Sequence, residues 1–190
     1  MAWPSGSVAI GDIITAAQLN LLPIQIADST AATSVASFDF TSLPQQFAHL
    51  KIVIVGRGDT AAAATSLAIR FNNDSGANYA SERITGNAAT LVSAEFVSQT
   101  ASNPGYIAAA TATASHAGSC EIIVPGYAQT TLFKEWNSIA GYTTAITTTG
   151  ITAETRSGVW ASTAAINRFT VLPVTGNFVA GSRCTIYGWA

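Results

Sequence analysis

Charged side chains are scarce in this sequence. Only 9% of its 190 residues are Asp, Glu, Lys or Arg, whereas about 25% is usual for a soluble domain. The formal net charge of −2 gives no strongly basic surface, which excludes the electrostatic attraction that nucleic acids and anionic membranes require. A surface of Ala, Ser, Thr and Gly also lacks the solubility that charge supplies. This composition favours a protein that is covered by copies of itself or by a partner.

Cysteines and long apolar runs are scarce as well. The two cysteines, Cys120 and Cys184, are too few for a disulfide framework and lack the short spacing of zinc ligands. We interpret them as buried, reduced thiols, with a disulfide between them as the alternative. No apolar run reaches the roughly 18 residues of a membrane-spanning helix, and the N-terminus shows no basic segment followed by an apolar one. The sequence therefore predicts synthesis in a cytoplasm and no membrane insertion.

Familiar catalytic motifs are missing. No nucleophile elbow, phosphate-binding loop or H-E-x-x-H motif occurs, and the only histidines are His49 and His116. We interpret His49 as a polar residue at the entrance to a strand and His116 as a loop or hairpin residue. The ten acidic residues are scattered, and no pair stands out as the two carboxylates, about 5 to 10 Å apart, that a glycosidase needs. The prediction is a non-enzymatic protein without a cofactor.

Most of the chain carries the pattern of β-strands. From about residue 35 onward, short runs rich in β-branched and aromatic residues alternate with turn sequences containing Gly, Pro, Asn or Asp. Because no amphipathic helix stands among them, these eight to ten runs predict an all-β sandwich or jelly roll. The runs cover residues 34–40, 50–57, 65–72, 105–114, 119–127, 131–139, 141–149, 151–160, 166–174 and 183–189.

Two of these runs allow finer predictions. The run "KIVIVG" has no polar gap, which predicts a central strand that is covered on both faces. The run "CTIYGW" near the C-terminus alternates. Since successive strand residues point to opposite faces, Cys184, Ile186 and Gly188 should lie on one face, and Thr185, Tyr187 and Trp189 on the other.

The N-terminal stretch differs from the rest. "GDIITAAQLNLLPIQI" offers Thr15 as the N-cap of one or two helical turns over residues 16–22, which Pro23 ends. Two turns alone are unstable in water, so this segment must dock on its own domain or on a neighbour. We therefore divide the chain into an N-terminal docking arm, 1–34, and a β-sandwich domain, 35–190.

One group of residues suggests a glycan-binding face. Glu135 stands between Phe133 and Trp136, and aromatic rings in a charge-poor β protein can stack on sugars. With Tyr142, Glu135 and Trp136 form the candidate glycan site. The plainer interpretation makes Glu135 an outward strand residue between inward ones.

Two further motifs have a binding and a plainer interpretation. Asn72, Asp74 and Asn78 alternate as oxygen ligands do in a Ca²⁺ loop, but Asx-turn chemistry in a hairpin loop explains the same residues without a metal. The tripeptide Arg57-Gly58-Asp59 matches an integrin motif, but Gly and Asp are also ordinary residues at the end of a strand.

The N-terminus resembles the opening of many tailed-bacteriophage virion proteins. In those proteins, M-A-W is followed by G-[DE]-[IV]-[IV]-T-A-A-x-[LM]-N, and the segment is usually an attachment piece that precedes a β-rich outer domain. This sequence departs from the family further on, where "LLPIQIADST" replaces the usual polar helix. The matching positions are Met1, Ala2, Trp3, Gly11, Asp12, Ile13, Ile14, Thr15, Ala16, Ala17, Leu19 and Asn20.

A wider resemblance covers about residues 38–190. "FDFTSLPQQFAHL", "RFNNDSGANY" and "GNFVAGSRCTIYG" follow, in this order, the motifs F-x-F-[ST]-x-[IL]-P-x-x-[FY]-x-H-L, R-F-N-x-D-[ST]-G-x-N-Y and G-x-F-x-x-G-S with a closing [LI]-Y-G. These motifs are similar to those of a recurrent phage domain. Such domains occur among tail-fibre, minor-tail and other virion-surface proteins, and no activity is generally assigned to them.

The resemblance implies a non-enzymatic structural protein on the virion surface. Its arm would anchor it to other virion proteins, and a homotrimer is the implied assembly. A tail-fibre or minor-tail position, with a host-surface glycan as a candidate partner, is preferred. A capsid decoration or cement protein is the alternative, and a glycan-degrading tail enzyme is a third. The arm residues expected to be buried against a virion partner are Trp3, Ile13, Ile14, Leu19, Leu21 and Leu22.

Overall fold

The structure is a computed structural model that describes residues 22–189. Every regular element in that range is a β-strand, which confirms the all-β prediction. The helical turns predicted for 16–22 lie outside the described residues, except for Leu22, which is in a bend. The twelve strands are β1 (Ile24–Thr30), β2 (Phe38–Phe40), β3 (His49–Gly56), β4 (Ala64–Phe71), β5 (Tyr79–Asn87), β6 (Thr90–Gln99), β7 (Tyr106–Ala108), β8 (Gly118–Pro125), β9 (Lys134–Thr143), β10 (Ile151–Trp160), β11 (Phe169–Pro173) and β12 (Arg183–Trp189).

The strands form two antiparallel sheets that make a β-sandwich. The large sheet has eight strands in the order β1-β12-β3-β8-β9-β10-β5-β6, and the small sheet has four in the order β2-β11-β4-β7. Several neighbours, such as β3 and β12, are far apart in the chain, so long-range pairing builds both sheets. The predicted sandwich is confirmed, and a jelly-roll connectivity stays a prediction.

The core lies between the two sheets, and β3 shows how alternation builds it. Leu50, Ile52 and Ile54 face the small sheet and are fully buried, whereas the residues between them face outward. The prediction that this strand is covered on both faces is wrong, because Val55 on the outer face is 48% exposed. The small sheet covers one face of the large sheet, and in the described part of the chain nothing covers the other. An unbroken apolar run therefore marks a central strand here but not a second covering layer.

The alternation predicted for β12 is confirmed. Cys184 and Ile186 are fully buried, and Tyr187 and Trp189 are half-buried on the opposite face. Both cysteines are free, buried thiols, as predicted. They lie on β8 and β12, the two strands that flank β3.

An aromatic cluster joins the sheets at one end of the sandwich. The ring centroid of Phe71 lies 6.4, 5.8 and 6.1 Å from those of Tyr79, Trp160 and Phe169. Phe71 and Phe169 belong to the small sheet, and Tyr79 and Trp160 to the large one. Burying each such side chain contributes on the order of 1.5–3 kcal/mol, so this cluster fixes how the two sheets pack.

The predicted boundary at 34/35 does not coincide with the edge of the sandwich. β1 pairs with β12, and the Asp28 carboxylate accepts hydrogen bonds of 2.7 Å from Arg183 Nε and Thr185 Oγ1. The end of the predicted arm is therefore an edge strand of the large sheet. Of the six predicted docking residues, five lie outside the described residues, and Leu22 is 51% exposed.

Candidate assembly surface

The β5–β6 hairpin, named here the ribbon, forms one end of the large sheet. Leu91 is 74% exposed and Val92 is 44% exposed. Because adjacent strand residues point to opposite faces, these two values show that both faces of the ribbon are open. Val97 on the same strand is also exposed. The small sheet therefore does not cover this end of the large sheet.

The outer edge of β6 is unpaired within the described part of the chain. β6 is the last strand in the sheet order, and β5 is its neighbour. Natural edge strands are usually protected by lysine, proline, short length or bulges. β6 has ten residues, no lysine or proline, and a single charge at Glu95. A register irregularity opposite Tyr79–Ser81 interrupts the pairing near the end of β6, which leaves a regular edge over about residues 90–96.

The ribbon was missed by the sequence prediction, and its turn explains why. Asn87 pairs with Thr90, so Ala88 and Ala89 alone connect the strands. Such two-residue turns usually use Asn-Gly because a positive φ is needed, but here Ala88 adopts φ 49°. The side-chain amide of Asn87 donates to the carbonyl oxygens of Thr149 and Ile151, which fastens the turn to the rest of the sheet. The alternation of apolar and polar residues over 92–96 was the sequence feature that could have indicated this strand.

The outer face of the large sheet continues the apolar surface of the ribbon. A row of small residues crosses the sheet in register, from Gly141 through Ala153 to Gly86 and then to Leu91. Gly141 and Ala153 of this row line a shallow depression, and Ile139 on the same face is 71% exposed. The other exposed apolar residues around it are Val55, Ile84 and Ile151.

This outer face is large enough to form an interface. Seven strand spacings of about 4.8 Å and strands about 25 Å long give a footprint of roughly 850 Å². A specific protein–protein interface buries about 800 Å² on each partner. The face also carries charges: Lys51–Glu121 and Arg183–Asp28, each at 2.7 Å, are paired within the chain, and Glu82, Glu95 and Glu135 are exposed.

The structure does not bring the predicted glycan site together. Trp136 is fully buried in the core, where Gly158 of the neighbouring strand lies against its ring. Glu135 is exposed on the outer face, as the plainer interpretation predicts. Tyr142 is half-buried beside Tyr106, with ring centroids 6.1 Å apart. The prediction of Trp136 as a sugar-stacking residue is wrong, because β9 alternates and places this ring inward.

The candidate cation loop is held by its own hydrogen bonds. Asp74 Oδ1 accepts from the Gly76 amide at 2.8 Å, and Oδ2 accepts from Asn78 Nδ2 at 2.9 Å and from Trp160 Nε1 at 2.7 Å. Asn72 Oδ1 accepts from two backbone amides of the segment before β11. The Asx-turn interpretation is confirmed. The hairpin is not, because the loop joins β4 of the small sheet to β5 of the large one.

The side chains of Arg57 and Asp59, in the tripeptide 57–59, form hydrogen bonds within the chain. The Arg57 guanidinium donates to the carbonyl oxygens of residues 110, 112, 113 and 116 at 2.7–3.3 Å. The Asp59 carboxylate accepts two hydrogen bonds from Asn177 and one from Ser34. These contacts support the interpretation as the end of a strand.

His49 stands at the start of β3, as predicted, with its ring 5.4 Å from that of Trp189.

The acidic residues of the described structure include one facing pair on the ribbon and one buried ion pair. Glu82 and Glu95 are opposite each other on β5 and β6, but both are exposed on the ribbon. Glu154 is buried in an ion pair with Arg156. Residues 22–189 contain no cluster of three or more His, Cys, Asp or Glu side chains that could hold a metal ion. The same residues contain no helix long and apolar enough to cross a membrane.

In the described residues, the fold and this surface define a β-sandwich with one open sheet face and an open edge at β6. No protein-family model and no curated protein matches the sequence.

Among solved structures, the chain is similar to exo-inulinase from Aspergillus awamori, at a TM-score of 0.41 and 13% identity over 87% of this chain and 29% of that one. It is also similar to the CBM40 of Ruminococcus gnavus IT-sialidase, bound to α2,3 sialyllactose, at a TM-score of 0.20 and 10% identity over 78% and 92% of the two chains. A third similar structure is Eiger TNF from S. frugiperda, at a TM-score of 0.19 and 7% identity, over 88% of this chain and 69% of that one. The chain thus spans less than a third of the inulinase, and none of these likenesses carries a functional argument.

Proposed function

We propose that this chain is a non-enzymatic structural protein of a bacteriophage virion, exposed on the particle surface and assembled from several copies. The N-terminal and domain motifs support the virion assignment through their resemblance to virion-surface proteins. The observation that carries the assembly role is the unprotected edge of β6, with apolar side chains exposed on both faces of the ribbon. A tail-associated position is the preferred one.

The occupant of this surface is a second copy of the same chain. The ribbon has exposed apolar side chains at Leu91, Val92 and Val97 and few charges, as the whole sequence has. A closed trimer requires a heterologous contact, in which different surfaces of two copies meet. β1 stands at the opposite edge of the same sheet and also has a single neighbour. The β6 edge of one copy would therefore pair with the β1 edge of the next.

Oligomeric state tests the assembly role. Sedimentation equilibrium of the full chain should show a trimer, and Leu91→Lys should weaken association at least about tenfold, because it places a charge in the contact. Leu132→Lys is the matched control, since Leu132 is 70% exposed but lies in the loop before β9, outside the ribbon. A chain that stays monomeric, or equal behaviour of the two variants, would contradict self-assembly through the ribbon.

Particle incorporation tests the virion assignment. A truncation that removes residues 1–21 keeps β1 and should yield a folded sandwich that no longer enters particles. Tens of copies on each particle would support the tail position, whereas hundreds would support capsid decoration instead. Full occupancy by the truncated protein would show that the arm is not the anchor.

A further inference from the structure

A cleft of about 340 Å³ lies where the ribbon separates from the small sheet. β4 and the end of β11 form one side, β5 and β6 form the other, and residues 99–103 line it between them. Its volume lies within the range of about 300–1,000 Å³ that is usual for small-molecule sites. The residues that line it include Arg70, Phe96, Ser102, Asn103, Leu172 and Val174.

One cationic side chain, Arg70, lines this cleft, and a second, Arg83, contacts the lining residue Phe96; neither has a carboxylate partner among the described residues. Arg70 lines the cleft and donates one hydrogen bond, from Nε to the Thr100 carbonyl at 3.3 Å. The Arg83 guanidinium lies over the ring of Phe96, 5.5 Å from its centroid, and its buried Nε has no hydrogen-bond partner in the described structure. The four ion pairs of the described residues use other cations.

Each of the remaining cations of the described residues donates to a backbone carbonyl or to a carboxylate. Arg57 and Lys134 donate to backbone carbonyls. Arg156 reaches the Asn103 carbonyl at 3.4 Å and is paired with the buried Glu154 at 3.1 Å, and its Nε, like that of Arg83, has no hydrogen-bond partner in the described structure. Of the described residues that line the cleft, only Arg70 is charged, and the Arg83 guanidinium lies next to it over the ring of Phe96.

Ser102 provides an independent indication of a ligand. Its side chain lines the cleft, the residue is 3% exposed, and its Oγ has no hydrogen-bond partner among the described residues. A buried hydroxyl without a partner is unfavourable. An acceptor oxygen of a bound molecule would satisfy it.

We propose that the cleft binds a small organic carboxylate. Arg70 and Ser102 supply the donors for the carboxylate, and Arg83 adds positive charge. The ring of Phe96 and the side chains of Leu172 and Val174 cover the apolar body of the ligand. A guanidinium is well suited to this role, because its parallel N–H groups match the two oxygens of a carboxylate. The proposal goes beyond assembly, which needs no ligand.

Amide NMR of the full chain, titrated with benzoate and with its neutral analogue benzamide, tests the proposal. We expect saturable shifts at residues 81, 96 and 99–103 with benzoate, with a dissociation constant in the millimolar range, and no such shifts with benzamide. Arg70→Gln should weaken benzoate binding at least about tenfold, and Ser102→Ala should weaken it less. Lys51→Gln is the matched control, because it removes one cation from the outer face.

Each contrary result overturns the proposal. Equal binding of benzoate and benzamide would show that charge is not recognised. Unchanged binding in Arg70→Gln, or an equal loss in Lys51→Gln, would show that the effect is not local to the cleft. Absence of any shift at these amides up to solubility would show that the cleft binds no organic carboxylate. None of these results depends on whether the chain forms trimers.

Discussion

Asp74→Asn is the most informative single substitution in this protein, because Asp74 connects the loop of residues 72–78 to the buried Trp160. The carboxylate accepts three hydrogen bonds through two oxygens. An amide keeps the shape but has one acceptor oxygen, so its NH₂ group must face at least one donor. Trp160 is 3% exposed, and its N–H would have no water to replace a lost bond.

The expected loss in the free energy of unfolding follows from those hydrogen bonds. One or two hydrogen bonds to a charged acceptor are lost, each worth about 1.5–3 kcal/mol, with the exposed ones at the low end. We therefore expect Asp74→Asn to lower the free energy of unfolding by about 2–4 kcal/mol. This is a large part of the 5–15 kcal/mol that is typical of a whole domain.

Urea unfolding followed by tryptophan fluorescence measures the effect, with Glu135→Gln as the control. Glu135 is an exposed carboxylate on the outer face, and its substitution should cost less than about 0.5 kcal/mol. A double-mutant cycle with Trp160→Phe isolates the bond between Asp74 and the indole. The two substitutions should be non-additive by about 1–2 kcal/mol.

Acid should narrow the difference in stability between wild type and Asp74→Asn. The bond from the Trp160 indole, followed by that from Asn78, holds the pKa of the Asp74 carboxyl below its usual value. The unfolded chain then binds more protons than the folded one, so this contribution is complete above the ordinary pKa of about 3.9 and is lost as the pH falls through the folded pKa. Wild type should lose more stability than Asp74→Asn between about pH 5 and pH 2.

Three results would refute this reasoning. One is an Asp74→Asn variant as stable as Glu135→Gln, and another is additivity in the cycle with Trp160→Phe. The third is a rise in the stability of wild type, but not of Asp74→Asn, on adding millimolar Ca²⁺. That last result would support the cation-loop interpretation of residues 72–78.

Two further predictions concern the core. Gly158→Ala should destabilise the protein by about 1–3 kcal/mol in thermal unfolding. The new Cβ would overlap the buried Trp136 ring and stand 2.8 Å from the Ala80 carbonyl oxygen. An unchanged melting temperature would contradict the burial of this tryptophan. Burial raises the pKa of Cys120 to about 12 and also raises that of Cys184. Neither thiol should therefore react with Ellman's reagent at pH 8 until the protein unfolds. Rapid reaction in the folded state would contradict the burial of these thiols.

Much of the fold could be predicted from local patterns, and the failures have local causes. The alternation at Cys184 and Ile186 was sufficient to predict the inward face of β12, because these two side chains are fully buried in the core whereas Tyr187 and Trp189 are only half-buried. The ribbon was missed because Ala88 takes the positive φ that usually requires Gly or Asn. Trp136 was misassigned because its aromatic character suits a core and a sugar-binding face equally, and only the register of β9 in the sheet decides between them.

The sequence by itself determined the class of this protein. Its β-branched runs, its turn residues and its shortage of charge specify a sandwich and favour an assembled surface, since these properties depend on composition and on short-range periodicity. Tertiary structure decided which strands become edges and which face stays open, because pairings such as β3 with β12 join residues far apart in the chain. It also decided that Arg70 and Ser102 line one cleft, a juxtaposition that arises only when the ribbon folds past the small sheet.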